Sequence, residues 1–339
     1  MMLFSFDFFS LYRRSCLYSV QALLFSFCCS SSYCQDSSHI INNRFSYDIK
    51  NRNFNPFPLN KKKVWLVAAG NAGIYGSTLV GLNKLWYSQY PRSKFHFFND
   101  NAEWLQVDKT GHAYSAYIES YGSYKMWHWT GISEKKAILL GGLSGMAYQS
   151  IIEILDGFSA EYGFSPGDFC ANIVGAGLFT TEQSVWNKQR IKMKFSFHKN
   201  NYGTDLLNQR ADMIFGKTES ERFIKDYNAS TVWLSADIKS FYPNSKLPGW
   251  FAVAVGYGAQ GMFGARSNIE KDAGGNVIFD ASNIRRYRQW YLAPDIDLTE
   301  IHTNNKAVKI ILGILNAFKF PTPSIEYSKG GFKYHWIHF

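Results

Sequence analysis

Residues able to do chemistry gather in one stretch, from Asp108 to Asn172. Asp108-Lys109-x-x-His112 comes first, then Glu153-x-x-Asp156, then Asp168-x-x-x-Asn172. Side chains three or four residues apart on a helix share a face, so each group presents its polar members together. The residues between are small or apolar, notably Ala137 to Met146 and Ile173 to Leu178. Polar faces on otherwise apolar helices are costly unless they meet and satisfy one another. The expectation is a helical bundle closed around one cluster: Asp108, Lys109, His112, Glu153, Asp156, Asp168 and Asn172. His112 should lie within reach of at least one of Glu153, Asp156 and Asp168.

A histidine with carboxylates from facing helices can hold a divalent metal, and His112, Glu153 and Asp156 are the candidate ligands. The His112 helix supplies no Glu-x-x-His pair, however, and His128 follows only sixteen residues on. A structural network pairing Lys109 or His112 with the carboxylates is favoured, and no metal or other cofactor is expected. As an enzyme, the set would use His112 as general base, assisted by Asp156 or Asp168. The substrate would then be lipid or cell-wall material, in a hydrolase or transferase reaction. No Gly-x-Ser-x-Gly elbow, His-Glu-x-x-His or phosphate-cradling loop is present, which favours a non-enzymatic role. Ser144 in Gly142-Leu-Ser-Gly145 falls one residue short of an elbow, in mid-helix.

Four helices must position these residues. Lys61-Lys62-Lys63 introduce an uncharged stretch, Val64 to Leu82, in which Ala69, Gly73, Ser77 and Gly81 recur every fourth residue. Such a stripe lets another helix approach closely, either inside a membrane or in a soluble bundle. The second helix runs from Asp108 to about Trp129, the third over Ala137 to Leu155. Ser165-Pro166-Gly167-Asp168 has the residue types of a helix start, and that fourth helix reaches about Trp186. Period-two alternation then predicts strands over Ile191 to His198, Thr231 to Leu234 and Trp250 to Gly264. A polar helical stretch covers Thr204 to Tyr227. Ile284 to Leu292 forms a further strand ended by Pro294, and Asn304 caps a helix over Ala307 to Phe318. Ser324 to Tyr327 and Phe332 to Phe339 close the chain as strands. The fold class is α+β: a bundle of about four helices, then an antiparallel β-rich part with one or two helices. The divisions are 1–34 signal, 35–62 polar linker, 63–187 bundle and 188–339 β-rich part.

Composition points to the cell envelope. Aromatics make up 17% and charged residues only 18%. Arg13-Arg14, the apolar run Cys16 to Cys29 and Ser30 to Ser32 follow the order of a cleavable signal peptide, with cleavage just after Cys34. Tyr33 is bulky where a lipid-attachment signal wants a small residue. Cys170 then remains as the one cysteine of the mature chain and reads as a small buried apolar residue. The net charge of +10 suits an anionic membrane surface. No basic run alternates with aromatics as in a nucleic-acid channel. Membrane or envelope proteins are the expected partners, and the outer membrane or periplasm of a Gram-negative bacterium the expected location. A terminal aromatic, Phe339, is a feature of outer-membrane barrels, although its strand face also carries Lys333, His335 and Ile337. Soluble sheets alternate in the same way.

The order Asp-Lys-x-x-His, Glu153-x-x-Asp-Gly-Phe-Ser159, Tyr162-Gly-Phe-Ser165 and Asp168-x-x-x-Asn172-x-x-Gly175 resembles the YfiM-like family of uncharacterised bacterial envelope proteins. Members are described as predicted periplasmic lipoproteins, and the β-rich second half is similar to long forms from Bacteroidota. A looser similarity joins the VanZ-like membrane proteins. The resemblance covers about residues 71–186 and implies an envelope location without an activity. The chain departs from the lipoprotein description in lacking a good attachment cysteine.

Overall fold

Lysines and apolar residues from 61 onward build the first helix of the structure, a computed structural model that describes residues 55–85, 91–160, 162–272 and 274–338. The segment expected to be a signal (1–34), most of the expected linker (35–62) and Phe339 lie outside the described residues. Helix α1 (Lys61–Leu85) is followed by a 3₁₀ turn (Glu103–Gln106), α2 (Val107–Trp129), α3 (Glu134–Gly157) and α4 (Pro166–Trp186). Strand β1 (Ile191–Phe197), α5 (Asp205–Phe215), α6 (Glu219–Lys225), β2 (Ser230–Asp237) and the short α7 (Ile238–Phe241) come next. The chain continues through β3 (Phe251–Gln260), β4 (Ile269–Lys271), β5 (Val277–Asp280), β6 (Tyr287–Ile296), α8 (Lys306–Leu315), β7 (Thr322–Ser328) and β8 (Gly331–His338). This is the expected α+β arrangement.

α2 is the axis of the molecule. It packs against α3 and α4 on one side and against β1 and β2 on the other, and Ala113, Tyr117, Tyr124, Ala137, Phe179, Met193 and Val232 form one buried cluster. Glycines permit the approach of the helices. A Cβ at Gly175 of α4 would stand 1.9 Å from the Ala113 carbonyl oxygen, and one at Gly145 of α3 2.6 Å from the Ala116 carbonyl oxygen. α3 is the one described helix long and apolar enough to cross a membrane by length and composition, yet Gly141, Gly142 and Gly145 are buried in the bundle.

The stripe expected to pack lies elsewhere. Ala69, Gly73 and Ser77 of α1 are exposed, and a Cβ at Gly73 would meet nothing within 4 Å. α1 turns Val67 inward instead and stacks Tyr75 on Tyr148. Cys170 is likewise exposed, on the α4 face that also shows Ile173 and Val174 to the outside. The polar stretch after Thr204 is two helices, parted where Gly216 takes φ 102°. Asn305, not Asn304, caps α8, its side chain accepting from the Ala307 and Val308 N–H groups. β3 stops at Gln260, so Phe263 leaves the strand and is buried in the following loop. β6 passes through Pro294 to Ile296, because the last β6–β7 rung is Leu292 with Ile325 and Pro294 lies beyond it. Its carbonyl accepts from Lys319 Nζ and Thr322 Oγ1.

Six antiparallel strands form the main sheet in the order β1-β2-β3-β6-β7-β8. Its apolar face is covered by α2 at the β1–β2 corner, where Met193 and Val232 are buried, but beyond that corner its two faces are inverted relative to a soluble sheet. Cross-strand register aligns Leu234, Val255, Leu292, Ile325 and Tyr334 in one row, and Tyr257, Trp290, Tyr327 and Phe332 in the next. Leu234, Val255, Trp290, Leu292, Ile325, Tyr327 and Tyr334 are 46–54% exposed, and Phe332 77%. The opposite face buries Lys192, Lys194, Ser235, Asp295, Glu326 and His338. The sheet rolls around these polar groups until His338 of β8 stacks 4.2 Å from Tyr291 and lies 5.7 Å from His198 beyond β1. Lys194 and Asp295, both fully buried side chains, pair at 2.8 Å, and Ser235 donates to Asp295 at 2.6 Å. A buried charge is tolerated only when paired and hydrogen-bonded in this way. In the small-residue β3, Ala254 and Gly256 sit on the interior face because Trp233 and Tyr291 fill the space beside them, and a Cβ at Gly256 would lie 2.7 Å from the Trp233 ring.

Candidate polar site in the helical bundle

The first turn of α2 is set by an unusual lead-in. Trp104, Leu105 and Gln106 have φ of 46°, 50° and 65°, left-handed backbone that non-glycine residues adopt at a cost. Contacts from the β half hold it. The Trp104 N–H donates to Ala265 O at 2.7 Å, Tyr257 OH donates to Leu105 O, and Arg288 donates to Gln106 Oε1 at 2.6 Å. Asp108, Lys109 and His112 follow on one face of the helix. Opposite them, Ser165 caps α4 by accepting from the Asp168 N–H at 3.0 Å, with Pro166 next in the chain. Asp168 and Asn172 are thereby fixed in the first two turns of α4, and Glu153 descends from the last turns of α3.

Lys109 is the hub. Its ammonium lies 2.7 Å from Asp100, 2.8 Å from Asp168 and 3.1 Å from Asp108. Ser165 Oγ donates to Asp100 at 2.6 Å, and the Ser165 N–H donates to Glu153 at 3.3 Å. The imidazole of His112 stands 3.7 Å from Glu153 Oε1 through Nδ1 and 3.7 Å from Asp168 Oδ1 through Nε2. Asn172 Oδ1 lies 3.3 Å from Nδ1. Glu153, Asp168 and Asn172 are buried, while the His112 side chain keeps 25% of its surface open.

The charges follow from burial. Desolvation, then the charge of Asp168, pushes the Glu153 carboxyl up to about 9. Asp168 is pushed up to about 8 by burial and by its hydrogen bond with Asp100, against the pull of Lys109. Burial also raises Asp100, but bonds from Asp168, Lys109 and Ser165 overcome it and hold that carboxyl below its usual range. Lys109 stays above the ordinary range because burial is outweighed by the aspartates. His112 is lowered to about 4 by burial and then by the charge of Lys109, so its ring is neutral at pH 7. The arrangement can store protons on its carboxyls or hold a cation between them.

Of the residues singled out by sequence, Asp108, Lys109, His112, Glu153, Asp168 and Asn172 converge. Asp156 is half-buried and acts on Glu153 through its charge. Asp168, not Asp156, joins His112 and Glu153 with donor atoms within 4.8 Å of one another. Three residues on, Asp156 is offset by about 60° round the helix and about 4.5 Å along it from Glu153, and that offset leaves it outside the group that Glu153 forms with His112. Asp100 and Ser165 are members that helical spacing could not find. Asp100 lies in the Asn99-Asp100-Asn101 loop, and its position just upstream of the Asp108 helix was the only signal it gave. Further up the bundle, Glu134 accepts from Tyr124 at 2.7 Å and meets His128 at 3.1 Å, while Gln149 donates to Glu119 at 2.7 Å.

Residues 96–182, about a quarter of the chain, match the model of a family described as predicted periplasmic lipoprotein (DUF2279). The match spans the whole cluster, from Asp100 to Asn172, and it supports an uncharacterised envelope-protein family exported to the periplasm or envelope. No curated protein and no solved structure matches the chain.

Proposed function

We propose that this chain is a non-enzymatic envelope protein that associates with the outer membrane and lays the outward face of its sheet against acyl chains. The observation that carries the reading is the inverted sheet. Two rows of apolar residues, centred on Leu292 and Trp290, face outward over a core of ion pairs. Water would leave that surface unburied, and contiguous apolar patches of such extent mark membrane or protein contacts. Lipid accounts for the polarity of both faces at once. The outer face of the bundle agrees, with Leu139, Leu143, Ile154, Ile173 and Val174 exposed. The signal segment at residues 1–34 and the resemblance to YfiM-like long forms from Bacteroidota, and more loosely to VanZ-like proteins, favour the same location. In this reading the Lys109 hub is structural and fixes α2, α4 and the loop before α2 to one another.

The test is fractionation joined to reconstitution. Mature protein is expected in the outer-membrane pool, and Trp290 fluorescence is expected to be quenched by lipids brominated on their acyl chains. Uncleaved protein in the cytosol, or a mature form soluble in the periplasm with unquenched Trp290, would falsify the reading.

A further inference from the structure

We infer that His112, Glu153 and Asp168 form a binding site for one divalent transition-metal ion of the zinc class, entering from the exposed edge of the imidazole. The donor atoms come from three helices and lie within 4.8 Å of one another. The two His112 separations of 3.7 Å are too long for hydrogen bonds. Two ligands on a tetrahedral zinc with bonds of 2.0–2.1 Å stand about 3.3 Å apart, so a small contraction of the Nε2–Asp168 distance, with Glu153 Oε1 turning from the Nδ1 side toward Nε2, would close the set around an ion.

A second observation concerns Asn172. It is fully buried, presents Oδ1 to His112 Nδ1 at 3.3 Å, and its Nδ2 has no hydrogen-bond partner among the described residues. With Nδ1–H donating to that oxygen, the lone pair of Nε2 is left facing the Asp168 carboxyl at 3.7 Å, without a hydrogen bond. A cation between them, displacing the carboxyl proton, would give both groups a partner. Metal-bound histidines characteristically donate their other ring N–H to such a partner, which fixes the tautomer. Glu153, 2% exposed, has no lysine or arginine ion pair among the described residues, so once an incoming cation displaces its proton it supplies the least compensated carboxylate of the set. Asp168 also contacts Lys109, which tempers its charge. One imidazole with two carboxylates suits zinc or its neighbours better than magnesium or calcium, which prefer oxygen alone.

Two other carboxylate groups among the described residues do not qualify. Asp100, Asp108 and Asp168 are already bridged by Lys109. Asp237, Asp297 and Glu300 are occupied by Lys188 and Lys192.

Full-length protein in mild detergent, titrated with zinc alone, tests the site. One zinc per chain is expected, unaffected by a tenfold excess of magnesium. His112→Gln and Glu153→Gln should each weaken binding at least tenfold, and Asn172→Leu, which spares every ligand, should weaken it too. Glu300→Gln should leave it unchanged. Zinc X-ray absorption on the wild-type complex reads the ligands without any variant and should find one imidazole among oxygen donors. Absence of stoichiometric zinc in the wild type, a sulfur ligand, a shell without imidazole, or equal affinity in folded His112→Gln and Glu153→Gln proteins each overturns the proposal.

Discussion

Gly175→Ala tests the close approach on which the site depends. A methyl group there would sit 1.9 Å from the carbonyl oxygen of Ala113, well inside the usual 3.4 Å or more, and the obstacle is backbone that cannot rotate away. Overpacking of this kind costs about 1–3 kcal/mol, and so severe a backbone clash belongs at the upper end. Replacing a helical glycine by alanine returns roughly 0.5–1 kcal/mol of intrinsic preference. The net expectation is a loss of about 2 kcal/mol. Gly177, two residues on in the same helix, has nothing within 4 Å of its would-be Cβ, so Gly177→Ala should gain the preference and lose nothing. Urea unfolding of both variants in the same detergent measures the contrast, which should approach 3 kcal/mol. If the two variants are equally stable, α4 is free to move off α2, and the tight seating of Asn172 against His112 loses its support.

Three further outcomes follow from particular contacts. Lys109→Met leaves three carboxyls without their ammonium and should cost about 3–5 kcal/mol, as breaking a buried pair does; Lys199→Met, whose pair with Glu219 is exposed, should produce no measurable change in the same unfolding assay. Glu182 is pushed up to about 7 by burial, although the Ile191 N–H donates to it at 3.2 Å. Its folded form therefore holds a proton that the unfolded chain has already released, and its contribution to stability falls as pH rises from about 4.5 to about 7, by at most roughly 1.4 kcal/mol per unit. Glu182→Gln should flatten that slope in a pH series of unfolding midpoints, and an unchanged slope would show that Glu182 ionises freely. Asp295→Leu should be strongly destabilising because it leaves Lys194 and the equally buried Lys319 without their carboxylate, while Lys194→Met/Asp295→Leu together is less so, because only Lys319 then lacks it.

The helices were legible because their polar residues recur at three and four among apolar neighbours. Ser165-Pro166-Gly167-Asp168 marked the start of α4, and that Ser165 cap is the bond observed. Periodicity could not tell which glycines face a partner. Gly73 and Ser77 repeat as regularly as Gly141 and Gly145, but only the latter meet α2. Asp100 escaped because a loop residue carries no period, and its contact with Lys109 is made by chain folding rather than helical spacing. The alternation of β3 was visible, whereas the side that is buried was not. Its small residues point inward because Trp233 and Tyr291, on neighbouring strands, occupy the room. Which face of a sheet is inside depends on strands far apart in sequence, and here, beyond the β1–β2 corner under α2, the apolar face is the outer one.

The left-handed lead-in Trp104–Leu105–Gln106 has a consequence for the order in which the protein is made. Three such residues store of the order of 1–3 kcal/mol each, and the bonds that hold them come from Tyr257, Ala265 and Arg288. During synthesis the four helices leave the ribosome well before those residues do. Until β3 and β6 have formed, these three bonds cannot hold the lead-in against relaxing, and the first turn of α2, with Asp108, Lys109 and His112, lacks that support. The polar site, though every one of its side chains lies in the first 172 residues, is completed only by the last third of the chain.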